Sequence, residues 1–407
     1  MKIITRTVWI LSLVSLGTDL ASEMLYPVMP IYLQSIGFSV ALIGLLEGIA
    51  EAMAGLSKGY FGKLSDTWGK RLPFVQLGYG LSALSKPLMA LFTWPAWVFL
   101  ARTLDRLGKG IRTGARDAML SEASTPQTRG TVFGFHRSMD TLGAVLGPAL
   151  ALIYLYCYPS QYQVLFGLAF LPGLFSIAFT LLLTDSPAAL RANRAPVSLL
   201  AFGQYWQKSP KPYRKLVSGL LLFALFNSSD LFLLLKVKEA GLTDTAVIGV
   251  YIFYNLVYAV SAYPVGRLAD RIGLKPVFLA RLFLFTLVYT GMAYTQSLYG
   301  FLGLFLLYGL YAAATEGVAK AWISTLVEKQ DLATAIGTYA GFQSIGALLA
   351  SWLAGWLWYG FGPATTFMVT SLAAGATLLY FLFGKRFQLL LSPKGHSPFS
   401  SGTNEQN

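Results

Sequence analysis

One cysteine, Cys157, and two histidines in 407 residues leave no material for an internal disulfide framework or for a cluster with metal-ligand spacing. Charge is scarce too. Asp, Glu, Lys and Arg make up 12% of the chain while hydrophobic residues make up 55% and aromatics 14%, against roughly 25% charged residues in soluble domains. That balance excludes an ordinary soluble globule and points to a polytopic membrane protein. Acids are scarcer than bases, 18 against 31, which gives a net charge of +13. The excess does not mark a nucleic-acid binder, because the bases lie in short loops between apolar runs, where they report orientation. A cleavable leader is not read at the start of the chain. MKIITRTVWILSLVSLGTDL is basic and then apolar, but Asp19 and Glu23 interrupt the run and no small-residue cleavage site follows, so it is expected to stay as a first span.

What the chain has in plenty is apolar runs of about 20 residues, the length that crosses a bilayer. They are predicted near 8–33, 41–63, 73–93, 96–118, 131–157 and 162–184, and again near 215–236, 246–267, 276–295, 298–322, 334–358 and 364–385. The expected fold is therefore an all-α integral membrane protein with 12 transmembrane helices in two six-helix bundles, residues 1–184 and 215–391. A cytoplasmic linker, 185–214, with a surface-lying helical segment around Val197 to Trp206, separates them, and a polar tail, 392–407, is expected to be disordered. Lys2, Arg6, Lys63, Lys70, Arg71, Arg112, Arg116, Arg129, the linker bases, Arg267, Arg271, Lys275, Lys329, Lys385 and Arg386 share one side, and the opposite loops carry only Lys236 and Lys238. By the positive-inside tendency both termini are expected in the cytoplasm, with the protein in the cell membrane.

The halves echo one another. GKLSDTWGKR starts at Gly62 and GRLADRIGLK starts 204 residues later at Gly266, with Asp270 standing over Asp66 and Gly273 over Gly69. Gly337 and Gly346 likewise follow Gly134 and Gly143 at a spacing of 203. Two echoes in register predict duplication of a six-span bundle.

The most heavily charged stretch is RTLDRLGKGIRTGARD, residues 102–117. On a helix at about 100° per residue, Arg102, Asp105, Arg106, Lys109, Arg112, Arg116 and Asp117 fall on one arc of about 140°. If that helix enters the bilayer near Ala96, Arg102 lies about 9 Å deep and Arg106 near the middle of a core about 30 Å thick. An arginine at that depth faces protein or a water-filled cavity and marks a substrate or ion path, whereas the alternative is an amphipathic helix on the membrane surface. Asp19 and Glu23 lie one turn apart on span one, about 16 and 22 Å in. The depths match those of Arg106 and Arg102, which predicts two ionic layers, Asp19 with Asp105 and Arg106, and Glu23 with Arg102. Glu47 and Glu51 on span two, Lys86 on span three, and His136, Arg137 and Asp140 on span five complete a charged first half. Asn227 and Asp230 on span seven, Tyr251, Tyr254 and Asn255 on span eight, and Glu316 on span ten are candidates for a wall that faces the solute, with Glu316 and Lys320 spaced to pair on one helix.

Gly62, Asp66, Gly69, Lys70 and Arg71 match the Gly-x-x-x-Asp-x-x-Gly-basic-basic loop between spans two and three of the major facilitator superfamily, and in span count, linker and duplication the chain resembles that family over nearly its whole length. Thr67 stands where arginine is usual; the second copy, Gly266, Asp270 and Arg271, restores it but has Leu274 in place of a base. The resemblance implies that Asp66 latches to a base at the cytoplasmic end of span four, Arg112 or Arg116; the alternative is loop charges that only fix topology. Arg102 and Gly108 resemble the family's span-four motif, Arg-x-x-Gln-Gly-x-Gly, with Asp105 and Arg106 at its Gln and first Gly. Gly134, Gly143, Gly147 and Pro148 are spaced as in the family's antiporter motif, without its closing pair of glycines, and helix packing alone explains them equally well.

These residues imply a proton-coupled secondary transporter that moves a small organic solute by alternating access, with efflux by proton antiport favoured. Symport of an organic anion or metabolite is one alternative, and a non-transporting sensor or scaffold is another. Neither an enzyme nor any cofactor beyond the proton gradient is expected. The expected partners are the solute, protons and the lipid bilayer, with the protein acting as a monomer and without nucleic acid. Asp19, Glu23, Glu51, Arg102, Asp105, Arg106, Arg137 and Asp140 are the candidates for coupling at the central cavity.

Overall fold

A computed structural model describes residues 3–26, 28–29, 32–33, 36–37, 40–159, 161–185, 201–228, 230–242 and 244–383. Residues 186–200 of the linker, the tail 392–407 with Lys385 and Arg386, and the side chains of Glu47 and Glu51 lie outside the described residues.

The first half comprises α1 (Arg6–Leu25), α2 (Val40–Trp68), α3 (Leu72–Leu91), α4 (Pro95–Glu122), α5 (Arg129–Cys157) and α6 (Tyr162–Thr180). A short α7 (Ala201–Lys208) follows the linker, where the sequence predicts a helical segment a few residues earlier, and it packs its Trp206 ring edge-on against Phe342 at 5.7 Å. The second half comprises α8 (Lys211–Ala224), α9 (Leu231–Glu239), α10 (Asp244–Ile272), α11 (Leu274–Tyr294), α12 (Leu298–Ala313), α13 (Glu316–Thr325) and α14 (Leu332–Phe383), the last broken where Gly362 takes φ 82° ahead of Pro363.

Three spans are not the continuous helices that the apolar runs predict. Span seven is interrupted between Ala224 and Leu231, where α8 ends and α9 begins. Span ten is interrupted at Ala314 and Thr315, between α12 and α13, and α1 stops at Leu25. Apolar periodicity cannot show such breaks, because residues on either side remain apolar while the backbone turns. Irregular backbone at membrane depth is tolerated only where protein buries it or a cavity lies beside it.

Among the described residues, six helical stretches are by themselves long and apolar enough to cross a membrane, Arg6–Leu25 and Arg129–Cys157 being two of them. α4 is not among them because of its charges, yet it lies inside the first half, where α2 and α3 cover it. Its glycines permit that approach: a Cβ on Gly108 would lie 2.6 Å from the Gly78 carbonyl oxygen, and one on Gly114 3.1 Å from the Gly62 Cα. Within the halves α1 packs on α5 and α6, and α11 on α12 and α14; between them α5 packs on α10 and α2 on α14.

Candidate functional site

The two copies of the glycine–aspartate loop meet the opposite half at one end of the bundle. Gly69 and Gly273 occupy corresponding turns in the left-handed region, φ 65° and 94°, where a side chain would be strained. Asp66 and Asp270 then reach helix N-termini across the interface. Asp270 accepts from the backbone N–H groups of Gly130, at 2.7 Å, and Thr131, at 2.6 Å, at the start of α5. Asp66 accepts from the Ala333 and Thr334 N–H groups at 3.4 and 2.6 Å, at the start of α14, and from the Thr334 hydroxyl. Each carboxylate thus satisfies donors that a helix start leaves free and sits at its positive end. The glycines bring the backbones together: a Cβ on Gly266 would lie 2.2 Å from the Gly130 oxygen, and one on Gly62 2.5 Å from the Ala333 oxygen.

The partner of Asp66 corrects the expectation of a span-four base. Asp66 pairs with Arg71 of its own loop, which also reaches Glu122 and the Lys329 carbonyl, both at 3.3 Å. Arg112 and Arg116 take partners within the first half instead. Arg112 donates to Ser82 at 2.8 Å and lies over the Tyr79 ring at 4.5 Å; Arg116 contacts Asp117 at 2.9 Å. Asp66 lies three residues past the apolar run 41–63, and burial pushes its carboxyl above the usual carboxylate range despite Arg71 and Thr334. The closed joint therefore carries a desolvation cost. Lys70 and Arg271 are exposed, and among the described residues neither side chain makes an ion pair or hydrogen bond across the interface.

Above this joint a cavity of about 410 Å³ opens between the halves. Its first-half wall includes Asp19, Glu23, Lys109, Arg112, Arg137 and Asp140; its second-half wall includes Asp230, Tyr251, Tyr254, Asn255, Glu316 and Lys320. A chain of ion pairs crosses between them. Asp117 of α4, which is fully buried, meets Lys320 of α13 at 2.8 Å; Lys320 meets Glu316 at 2.6 Å; and Glu316 meets Arg137 of α5 at 3.0 Å. Arg137 also binds Asp140 and the Tyr258 hydroxyl. Asp140 in turn accepts from Ser15 of α1 at 2.5 Å and faces the carboxyl of Asp19.

The two predicted ionic layers are not formed. Asp105 is bound by Lys86 of α3 at 2.6 Å and by Arg102 at 3.4 Å, not by Asp19. Asp19 faces Asp140 rather than Arg106, and Glu23 makes no ion pair among the described residues, lying instead in the combined field of Lys109, Arg106 and Arg102. Asp19 lies in the fields of Lys109 and Arg112, and Glu23 in that of Lys109 ahead of Arg106 and Arg102, so both stand further along α4 than counting residues places them; α4 also packs along α2 and α3 and touches α1 only slightly. Of the residues placed on the solute-facing wall, Asp230, Tyr254, Asn255 and Glu316 line the cavity, and Asn227 stands in the break of span seven beside it. Gly143 and Gly147 hold α5 against α1, where added Cβ atoms would lie 2.6 and 2.7 Å from the Leu16 and Leu20 oxygens, and Pro148 continues the same helix; Gly134 abuts Gly266.

Several contributors carried no sequence signal for their role. Asp185, at the head of the linker, accepts from the Arg71 and Leu72 N–H groups at 2.9 and 2.8 Å and so caps α3. Thr334 and Tyr308 are ordinary residues of apolar runs, and nothing in spacing shows that they face Asp66 and Asp230. The bond of Lys320 to Asp117 spans the halves, which no local pattern can reveal.

The sequence profile of the Major Facilitator Superfamily matches residues 11–253 and 233–403. An uncharacterized MFS-type transporter of Methanocaldococcus jannaschii is 32% identical over 387 residues, 93% of this chain and 95% of that one. The multidrug resistance protein MdtH of Photorhabdus laumondii is 25% identical over 336 residues, 80% of each chain. Among solved structures, the human organic anion transporter MFSD10 superposes with a TM-score of 0.79 at 17% identity, covering 92% of this chain and 98% of that one. FucP in the outward conformation gives 0.75 at 13% identity, covering 94% and 99%.

Proposed function

The chain belongs to the Major Facilitator Superfamily, and from that premise we propose that it is a proton-coupled secondary transporter that exports a small organic solute in exchange for protons. One observation carries the coupling: Asp19 and Asp140 face one another on the cavity wall, with Ser15 bonded to Asp140. Like charges at contact repel, so such a pair favours holding one proton between its members. Arg137 and Arg116 lie close enough to Asp140 to take its charge when that proton leaves. Rocking one half against the other carries the pair between the two sides of the membrane and separates or restores these contacts.

The basic end of the bundle, with the two loops and the starts of α5 and α14, is the cytoplasmic end on the positive-inside tendency. Both termini then lie in the cytoplasm, and the joint formed by Asp66 and Asp270 closes that side while the cavity awaits exchange with the exterior. Export is favoured by the likeness to relatives named as multidrug resistance proteins. The protein acts as a monomer in the cell membrane, its partners being the solute, protons and lipid.

Proteoliposomes with an imposed pH gradient test this. A panel of small organic solutes should include one whose flux follows the gradient, and Asp19→Asn should abolish that dependence while leaving a folded, monodisperse protein. Undiminished gradient-driven flux through Asp19→Asn would overturn the assignment of the proton site. Flux coupled in the same direction as proton entry would favour symport.

A further inference from the structure

Every base on the cavity wall already has a use. Arg116 is taken by Asp117, Lys320 by Asp117 and Glu316, and Arg137 by Asp140 and Glu316. Lys109 stands in the field of Glu23 and Asp19, Arg112 is held by Ser82 and the Tyr79 ring, and Lys58 has a partner of its own. The acids do not balance in the same way. Asp230, half-buried at the break of span seven, has no ion-pair partner among the described residues. Its two oxygens are fixed by neutral donors, the Tyr254 hydroxyl at 2.9 Å and the Tyr308 hydroxyl at 2.7 Å.

Those hydroxyls orient the carboxylate, which among the described residues makes no ion pair and has only the field of Arg137, itself paired with Asp140 and Glu316, to offset its charge. Around it stands an aromatic wall: the Tyr254 ring lies 5.2 Å from Tyr308, 6.1 Å from Tyr251 and 6.3 Å from Tyr258, and Tyr251, Tyr254 and Tyr258 line the cavity. Ring faces attract a cation and give nothing to an anion. Tyr251 lies in the fields of both Asp230 and Glu23, so the same wall faces a second carboxylate across the gap between the halves.

We propose that Asp230, with the rings of Tyr251 and Tyr254, is the docking site for the cationic nitrogen or phosphorus of an organic solute, so that the transported class is organic cations. The proposal deepens the transport reading and rests on the cavity being a solute path. The volume of about 410 Å³ falls in the range of sites for drug-sized molecules. A delocalised or quaternary cation suits the site better than a metal ion, because a poorly hydrated charge loses little when ring faces replace water.

Tetraphenylphosphonium and tetraphenylborate have the same shape and opposite charge, which isolates the sign. Equilibrium dialysis against purified protein in nanodiscs, with empty nanodiscs as the blank and no pH gradient, should show the phosphonium binding at least tenfold more tightly than the borate. Asp230→Asn should weaken phosphonium binding at least tenfold, and Tyr251→Leu, which leaves both hydrogen bonds to Asp230 in place, about threefold. Equal binding of the two ions, tighter binding of the borate, or unchanged phosphonium affinity in Asp230→Asn each overturns the proposal. If Asp230→Asn does not fold, unchanged affinity in Tyr251→Leu overturns it alone. Failure of proton coupling would show as flux indifferent to the gradient and would leave this equilibrium result standing, so the two readings fail separately.

Discussion

The interior of the first half is divided by charge, whereas that of the second half is dominated by one large cluster rich in aromatic rings, with a small apolar cluster around Val277 and Val318 beside it. In the first half, one apolar cluster around Val8, Phe74 and Ile111 and another around Met24, Leu46 and Phe166 are set apart, and Lys86, Arg102 and Asp105 lie buried between the helices. In the second half, Phe223, Phe285, Tyr289, Tyr308, Tyr311 and Phe367 join in one cluster, with Phe285 and Tyr289 stacked at 4.0 Å. Its buried Arg281 rests on the Phe223 and Phe278 rings, at 4.8 and 4.7 Å. Ion pairs in a low-dielectric interior are discrete: each charge needs a particular partner and loses heavily without one. Close-packed rings tolerate small shifts but resist change in their arrangement as a whole. On the proposed transport reading, the first half exchanges ionic partners while the second moves as a rigid wall, with proton coupling and solute contact on opposite sides of one cavity.

The largest effect that sharpens this contrast is expected from Lys86→Met. Lys86 is 1% exposed and holds Asp105 at 2.6 Å. Its removal leaves Asp105 with Arg102 at 3.4 Å, and stranding a buried charge costs about 3 to 5 kcal/mol. Thermal unfolding in detergent should show this as a marked fall in midpoint that Lys86→Met/Asp105→Leu partly restores. Strictly additive losses would show that the first half does not depend on the pair.

The two closure joints form a second, smaller contrast. Asp66 has Arg71, two N–H groups and the Thr334 hydroxyl, while Asp270 has two N–H groups. Asp66→Ala should therefore weaken closure by about 3 kcal/mol and Asp270→Ala by about 1 to 2 kcal/mol. A cysteine placed at Ala144 in the cavity, with the exposed Cys157 replaced by Ser, reports the difference through its rate of labelling by a reagent admitted from the basic end. Faster labelling in Asp270→Ala than in Asp66→Ala would reverse the ranking.

Much of the fold is legible in the sequence because it depends on one coordinate. Apolar runs give the spans, and the spacing from Gly62 to Gly266 gives the duplication; in the structure those two glycines abut Ala333 and Gly130 in corresponding ways. The site depends on a second coordinate, the rotation of each helix about its axis, which depth does not fix. Counting residues sets Asp19 level with Arg106, yet the bases that act on Asp19 are Lys109 and Arg112, α4 turns Asp105 to Lys86, and Asp19 meets Asp140 because Gly143 lets α5 close on α1. Glu316 and Lys320 pair on one helix, which four-residue spacing suffices to suggest. Their further bonds to Arg137 and Asp117 cross between halves and follow only from the assembled bundle.

The smallest effect, and the most direct comparison of the two interiors, is expected from Arg281→Met. Arg281 is 2% exposed, about as deep as Lys86, and is likewise a base. No carboxylate is paired with it among the described residues, and its Nε and Nη1 lack hydrogen-bond partners. Its support is the two rings, each contact worth about 2 kcal/mol when desolvated, against a burial penalty of several kcal/mol for the charge. Methionine retains much of the side-chain volume and strands nothing, so the terms nearly cancel and stability should change by less than about 1 kcal/mol in either direction. The same substitution type at the same depth would then cost several times more in the first half than in the second. Equal falls in the unfolding midpoint for Lys86→Met and Arg281→Met would remove the distinction between a partnered, charge-divided half and an aromatic one.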